Sequence, residues 1–188
     1  MTAPAESETS AKPDEAPSLA LFEPPGGILV WIIVFLEVLT FGAGFVVFAV
    51  EGRAHAEEFA LGRALLNQPI ALANTLILLT GGWCMANGIV ALRSGGEHLA
   101  GRWIAAAIGT GFAFLALKGF EYAEKLQAGI GLGEDTFFTL YWLLTGVHFL
   151  HVLAAIVILT VIWFGIRRGK YHGGSFYDVE SSGIFWHM

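Results

Sequence analysis

Four long apolar stretches constrain this chain more than any other feature of its sequence. A helix that crosses a membrane needs about 20 mainly apolar residues, because lipid offers the backbone no hydrogen-bond partners and a helix satisfies its own. Only 14% of the 188 residues are charged, against roughly 25% in an average soluble domain. The sequence therefore predicts an all-α polytopic transmembrane helix bundle. The predicted spans are residues 27–50, 69–92, 103–120 and 136–166.

The two ends of the chain differ from these spans. Residues 1–26 are acidic and rich in proline, and they lack both a positive n-region and an apolar h-region. We therefore predict a disordered tail there, not a signal peptide. Residues 27–188 form one membrane domain, and residues 184–188 are typical of the first turn of a further helix. The expected fold is four complete spans plus the start of a fifth.

The positive residues indicate how the bundle is oriented. Six of the ten Lys and Arg residues fall on the side of the bundle that holds the N-terminal tail, and four fall on the opposite side. The excess of positive charge favours the cytoplasm, so the N-terminus is predicted to be cytoplasmic. The chain has no basic cluster that would suggest binding to nucleic acid.

Glu37 is the most unusual residue within the apolar stretches. It lies ten residues into the first predicted span, which places it about 15 Å from the end of the helix and near the middle of the membrane. A charged carboxylate is unfavourable at that depth, so the side chain should be neutral or hydrogen-bonded. The residue either ties two helices together or handles protons, and both roles stay open.

Further polar residues need partners inside the bundle. His148 and His151 are three residues apart, so both point to one face of the fourth span. We favour hydrogen bonds between helices for this pair over metal or haem binding, because the sequence offers no evident third ligand. Asn74 is also predicted to hydrogen-bond across the bundle. Lys118, near the end of the third span, is expected to extend towards the membrane surface.

Four sequence motifs occur in order along the chain. They lie in residues 35–45, in residues 72–79, in Glu121-Tyr122 with 136–138 and 145–152, and in Glu180 with 185–187. Together they resemble the motifs of the cytochrome c oxidase subunit III family of haem-copper oxidases. Leu36 stands where Ser is common in the first motif, and Phe149 replaces the usual Gly in the third.

The resemblance implies a subunit without haem or copper that packs against a haem-containing catalytic subunit in a bacterial inner membrane. It implies no cofactor except bound phospholipid, held in a cleft between helix groups, and membrane lipids as partners. Carried over to this chain, the acid that supports proton uptake is Glu37. Glu121, Tyr122 and Glu180 are expected at a lipid or subunit interface, Glu121 as an acid near water or lipid headgroups.

The length of the chain resembles the five-helix type found in bacterial oxidases and in NorE-type proteins associated with nitric oxide reductase. The short Pro-rich tail and the substituted motif positions favour the NorE type slightly. Subunit III of a cytochrome c or quinol oxidase is the alternative. Two further classes stay open: a small di-His metal or haem membrane protein, and a small transporter, for which Gly81-Gly82 is the one candidate helix break.

Overall fold

A computed structural model describes residues 27–171 and 176–188, and the predicted tail, residues 1–26, lies outside the described residues. The described part of the chain is helical, as predicted. Its helices are α1 (Gly27–Ala54), α2 (Ala56–Ala64), α3 (Gln68–Arg93), α4 (Glu97–Gln127), α5 (Thr136–Arg167) and α6 (Tyr177–His187).

Four of these helices, α1, α3, α4 and α5, are long and apolar enough to cross a membrane, which confirms the four predicted spans. The third span is longer than predicted, because α4 covers 31 residues and so extends about 46 Å, well beyond a hydrocarbon core of about 30 Å. A helix is also found where the start of a fifth was expected. That helix, α6, begins at Tyr177 and covers 11 residues.

Local signals explain where the spans begin and end. The side chains of Asn67 and Asp135 accept hydrogen bonds from the backbone N–H groups of Ile70 and Phe138 and so cap α3 and α5. After α3 the chain reverses at Gly95, whose φ of 77° favours glycine. These caps and turns make the neighbouring spans antiparallel.

Small residues allow α3, α4 and α5 to pack closely. A Cβ atom added to Gly88 on α3 would lie 2.9 Å from Ile104 Cγ1 on α4. One added to Gly111 on α4 would lie 2.7 Å from Ile156 Cγ1 on α5. Close approach of backbones at small residues is the usual way in which membrane helices associate. These three helices therefore form the body of the bundle.

The first span, α1, stands at the edge of this body. It packs against α5, α2 and α6, and none of its Cα atoms lies within 8 Å of one in α3 or α4. A cleft of about 740 Å³ separates it from those two helices. Glu37 is therefore carried by a helix that reaches the body mainly through α5.

The short helix α2 was not expected, because its polar nine-residue segment is typical of a loop between spans. It forms because Phe59 is completely buried against Phe48 and Phe137. Glu58 Oε1 accepts a hydrogen bond of 3.0 Å from the backbone N–H of Phe137 at the start of α5. Lys125 near the end of α4 donates to the carbonyl of Leu65. Thus α2 ties together three spans at one end of the bundle.

Candidate functional site

Glu37, His151 and Phe185 form a bridge that joins three helices in the middle of the bundle. His151 Nδ1 on α5 lies 3.0 Å from Glu37 Oε1 on α1. The other ring nitrogen, Nε2, lies 3.1 Å from the backbone carbonyl oxygen of Phe185 on α6. The His151 side chain is 5% exposed and that of Glu37 is 26% exposed. The bridge is therefore largely shielded within the chain.

The contact with the Phe185 carbonyl indicates which nitrogen of the His151 ring carries a hydrogen. A carbonyl oxygen can only accept, so Nε2 must carry a hydrogen and donate it. Nδ1 is then either the acceptor for a neutral Glu37 or the donor of an imidazolium to a Glu37 carboxylate. In both forms one proton lies between Nδ1 and Oε1. The pair is thus built around one shared proton.

The second carboxyl oxygen of Glu37 favours the neutral form. Oε2 is buried and has no hydrogen-bond partner among the described residues. An ionised carboxylate would place part of its charge on this oxygen with no donor to stabilise it, which is more unfavourable than leaving a neutral carbonyl oxygen unpaired. Glu37 therefore best fits as a neutral acid that donates to His151.

His148 lies on the same face of α5 as His151, as the sequence predicts, but it does not join the bridge. The two rings are stacked with centroids 6.2 Å apart. The His148 ring makes T-shaped contacts with the rings of Phe41 and Phe114, and in residues 27–171 and 176–188 it makes no hydrogen bond. The described residues contain no group of three or more His, Cys, Asp or Glu side chains that could hold a metal ion.

Asn74 lies in the wall of the cleft beside α1 and is 6% exposed. The predicted hydrogen bond across the bundle is not found for its Oδ1 atom, which is buried without a partner among the residues that the structure describes. The neighbouring Thr75 donates to Ala71 of its own helix. An unpaired buried acceptor of this kind is the atom to which a molecule in the cleft would donate.

A second polar network, at Lys118, Glu121 and Tyr141, was missed by the sequence analysis. Lys118 Nζ lies 3.0 Å from both Glu121 Oε2 and the Tyr141 hydroxyl, and that hydroxyl donates to Glu121 Oε1 over 2.6 Å. All three residues are less than 9% exposed. Each charge is thus paired and hydrogen-bonded, which is what burial of an ion pair requires.

This network corrects two expectations. Lys118 does not extend to the membrane surface but turns inwards, because Glu121 lies one turn away on α4 and Tyr141 faces it from α5. Glu121 is 3% exposed and so lies away from water, where an exposed acid was expected. The spacing of three residues between Lys118 and Glu121 was the available signal, since it places both side chains on one helix face.

The remaining residues assigned to an interface also have partners. The Tyr122 hydroxyl donates to Thr145 Oγ1 over 2.8 Å, so it joins α4 to α5. Glu180 Oε1 accepts from Arg93 at Nε and Nη2 over 3.1 and 2.7 Å and links α6 to α3. Contacts of Glu121, Tyr122 and Glu180 with lipid or another subunit stay predictions.

Known proteins resemble this chain over most of its length. A "Cytochrome c oxidase subunit 3" of Thermostichus vulcanus is 30% identical over 163 residues, covering 86% of this chain and 78% of that protein. A "Cytochrome bo(3) ubiquinol oxidase subunit 3" of Pseudomonas aeruginosa is 22% identical, covering 84% of this chain and 75% of the relative. A "Heme-copper oxidase subunit I+III" of Aeropyrum pernix is 26% identical over 83% of this chain, which spans only 20% of that longer protein.

The family match includes the whole of the Glu37 bridge. The sequence profile described as "Cytochrome c oxidase subunit III" matches residues 27–188, a range that contains α1, α5 and α6 in full. The resemblance carried by the four motifs is therefore confirmed, and this chain belongs to the cytochrome c oxidase subunit III family.

Proposed function

We propose that this chain is subunit III of a membrane haem-copper oxidase and packs beside a catalytic subunit that carries the haem. The family match over residues 27–188 supports this role. The Aeropyrum pernix relative is named as subunits I and III in one protein, which supports subunit I as the direct partner. In this proposal the redox chemistry belongs to the partner, and the chain contributes stability and assembly.

Within that complex, we assign to Glu37 the task of holding a proton for the catalytic subunit. The observation that carries this assignment is the bridge in which one proton lies between Glu37 Oε1 and His151 Nδ1, 3.0 Å apart. The Glu37 side chain as a whole is 26% exposed, although its carboxyl Oε2 atom is buried. Intramembrane acids that share a proton with a neighbouring group often take part in proton pathways, which supports this role for Glu37.

Phospholipid belongs to the proposal as the occupant of the cleft beside α1. Aromatic side chains of α1, including Phe41, Phe45 and Phe48, line one wall. Lys118 and Asn74 lie on the opposite side. An apolar wall with a few polar groups suits an acyl chain and part of the glycerol region.

Dioxygen is the acceptor that the comparisons favour. The relatives named above are subunits of cytochrome c, quinol and other haem-copper oxidases. The NorE-type role, which the sequence favoured slightly, would instead place the chain beside a nitric oxide reductase. Oxygen and nitric oxide consumption by the complex separate these two assignments.

The experiment that tests the function is purification of the full chain from its native membrane in mild detergent, with an affinity tag at the N-terminus. We expect a haem-containing protein to co-purify and to consume oxygen when supplied with a reduced cytochrome or quinol. Consumption of nitric oxide but not oxygen would support the NorE-type role. A monodisperse chain with no haem protein attached would contradict the proposal.

We also propose a bacterial inner membrane location with a cytoplasmic N-terminus. Cys84, the single cysteine, is 5% exposed, so a cysteine introduced at an exposed site can be labelled selectively. Glu57 and Arg168 are exposed at opposite ends of the bundle. We expect an impermeant maleimide to label Glu57→Cys in intact spheroplasts and Arg168→Cys only after the membrane is opened. The reverse pattern would contradict this orientation.

A further inference from the structure

A groove of about 450 Å³ lies where the start of α4 meets the end of α5, away from the Glu37 bridge and from the cleft beside α1. Its position at the ends of two spans places it at the membrane surface. Two arginines and a tryptophan, Arg102, Arg167 and Trp163, line it together with Glu97, His98 and the apolar Ala105 and Ile166.

The charges at this end of the bundle single out the groove. Arg93 is paired with Glu180, and Lys170 is paired with Asp178. Arg102, Arg167 and Arg168, in contrast, make no ion pair with any described residue, and of these three only Arg102 and Arg167 line the groove. Glu97 offsets one of these two charges, so the groove keeps a net positive charge. Two guanidinium groups at one groove suit a phosphate group, which Arg recognises through paired N–H donors.

The groove is held in shape by contacts that do not use its arginine donors. Trp163 Nε1 donates to the backbone carbonyl of Gly101 over 3.0 Å and so fixes the ring between α4 and α5. The Arg167 guanidinium lies 4.8 Å from the centre of that ring. Stacking on an aromatic face restrains the side chain while its N–H groups remain available. Arg167 is thus positioned for a ligand before the ligand arrives.

Space for an apolar chain continues from the groove into the membrane. Ala105 lines the groove, and Gly109 lies one turn further along the same face of α4. No atom lies within 4 Å of the place where a Cβ of Gly109 would be. The side of α4 from Ala105 to Gly109 is therefore apolar and open at Gly109, which suits an acyl chain.

From these observations we propose that the groove binds a phospholipid with a net negative headgroup. The phosphate lies between Arg102 and Arg167, and one acyl chain runs along Ala105 and Gly109. A free phosphate ion fits less well, because Trp163, Ile166 and Ala105 line the groove with apolar surface. Basic pockets between spans commonly recognise anionic headgroups. This proposal does not depend on the identity of the partner subunit.

The test compares lipid retention by the full chain, in whatever complex it purifies with, among matched variants. Arg102→Gln/Arg167→Gln removes both groove charges. The control Arg168→Gln/Lys170→Gln removes two charges at the same end that do not line the groove. By native mass spectrometry we expect the wild type and the control to retain one more phosphatidylglycerol molecule than the groove variant. Equal retention by all three, or equal loss in both double variants, would overturn the proposal.

A second measurement keeps the proposal testable if the groove variant does not fold. Arg102→Lys/Arg167→Lys keeps both charges but loses the paired donors. We expect phosphatidylglycerol to raise the unfolding temperature of the wild type more than phosphatidylcholine does. We expect its apparent affinity to fall about tenfold in the lysine variant. Stabilisation by inorganic phosphate equal to that by phosphatidylglycerol, or equal stabilisation by both lipids, would overturn the lipid assignment.

Discussion

Glu37 and His151 lie 114 positions apart in the sequence and share one proton across 3.0 Å in the structure. Because the second His151 nitrogen is committed to the Phe185 carbonyl, the first can bond to Glu37 as an acceptor or, once protonated, as a donor. Either arrangement keeps the pair neutral overall. A neutral pair can remain at mid-membrane depth without a counter-ion.

Substitution of Glu37 separates a proton role from a packing role. In Glu37→Gln the amide can donate to His151 Nδ1, so we expect the chain to assemble normally. The amide cannot release a proton in the physiological range, so turnover or proton coupling of the complex should fall. Carbodiimide, which reacts with protonated accessible carboxyls, should label the wild type at residue 37. Full activity of the Gln variant with no labelling of the wild type would leave Glu37 a packing residue.

Substitution of His151 should remove the hydrogen bonds that attach both α1 and α6 to α5. We expect His151→Phe to destabilise the complex by about 2 kcal/mol, since it leaves the Glu37 acid and the Phe185 carbonyl without their partner. The unfolding temperature in detergent measures this loss. His148→Phe is the control one turn away, and we expect it to cost less than about 1 kcal/mol because that ring contacts Phe41 and Phe114 without a hydrogen bond. Equal effects of both variants would contradict the bridge.

The buried network at Lys118 should respond more to one substitution than to two. Lys118→Met leaves the Glu121 carboxylate buried beside Tyr141 with no cation, and we expect it to cost about 3–5 kcal/mol. Lys118→Met/Glu121→Gln removes both charges and should recover most of that loss, as measured by thermal unfolding. A double variant that loses the sum of the two single effects would show that the residues do not act as a pair.

Glu58 should stabilise the start of α5 although it belongs to another helix. Its carboxylate accepts from the Phe137 N–H, close to the positive end of the α5 dipole. We expect Glu58→Ala to lower stability by about 1 kcal/mol in a denaturation experiment. Glu57→Ala is the matched control, since Glu57 is the neighbouring acid on α2 and is exposed. Equal losses of stability in the two variants would show that the hydrogen bond between Glu58 and Phe137 does not stabilise the protein.

Apolar length was enough to find the four spans, because the backbone of a membrane helix must be satisfied within the helix itself. The same reasoning could not predict α2, because this helix is stabilised by the burial of Phe59 against other helices and not by its own apolar length. Periodicity placed His148 and His151 on one face. It could not show that only His151 meets Glu37, because that contact depends on how α1 packs against α5.

The inward orientation of Lys118 could not be predicted from the sequence for a similar reason. A lysine near a helix end ordinarily reaches water, and here a tyrosine from the next span, 23 positions away, supplies an alternative. The unpaired oxygens of Glu37 and Asn74 are likewise properties of packing. Sequence therefore located the polar residues by depth, whereas their partners required the tertiary structure.

The peripheral position of α1 has a consequence for the order in which the protein is made. Of the four described spans, α1 is synthesised before its main neighbour, α5, and it makes no close approach to α3 or α4. Until α5 enters the membrane, the carboxyl of Glu37 has no histidine beside it and must reside there as an uncharged acid. Biogenesis therefore includes a period in which α1 lacks its main neighbour, and the insertion of α5 with His151 ends it.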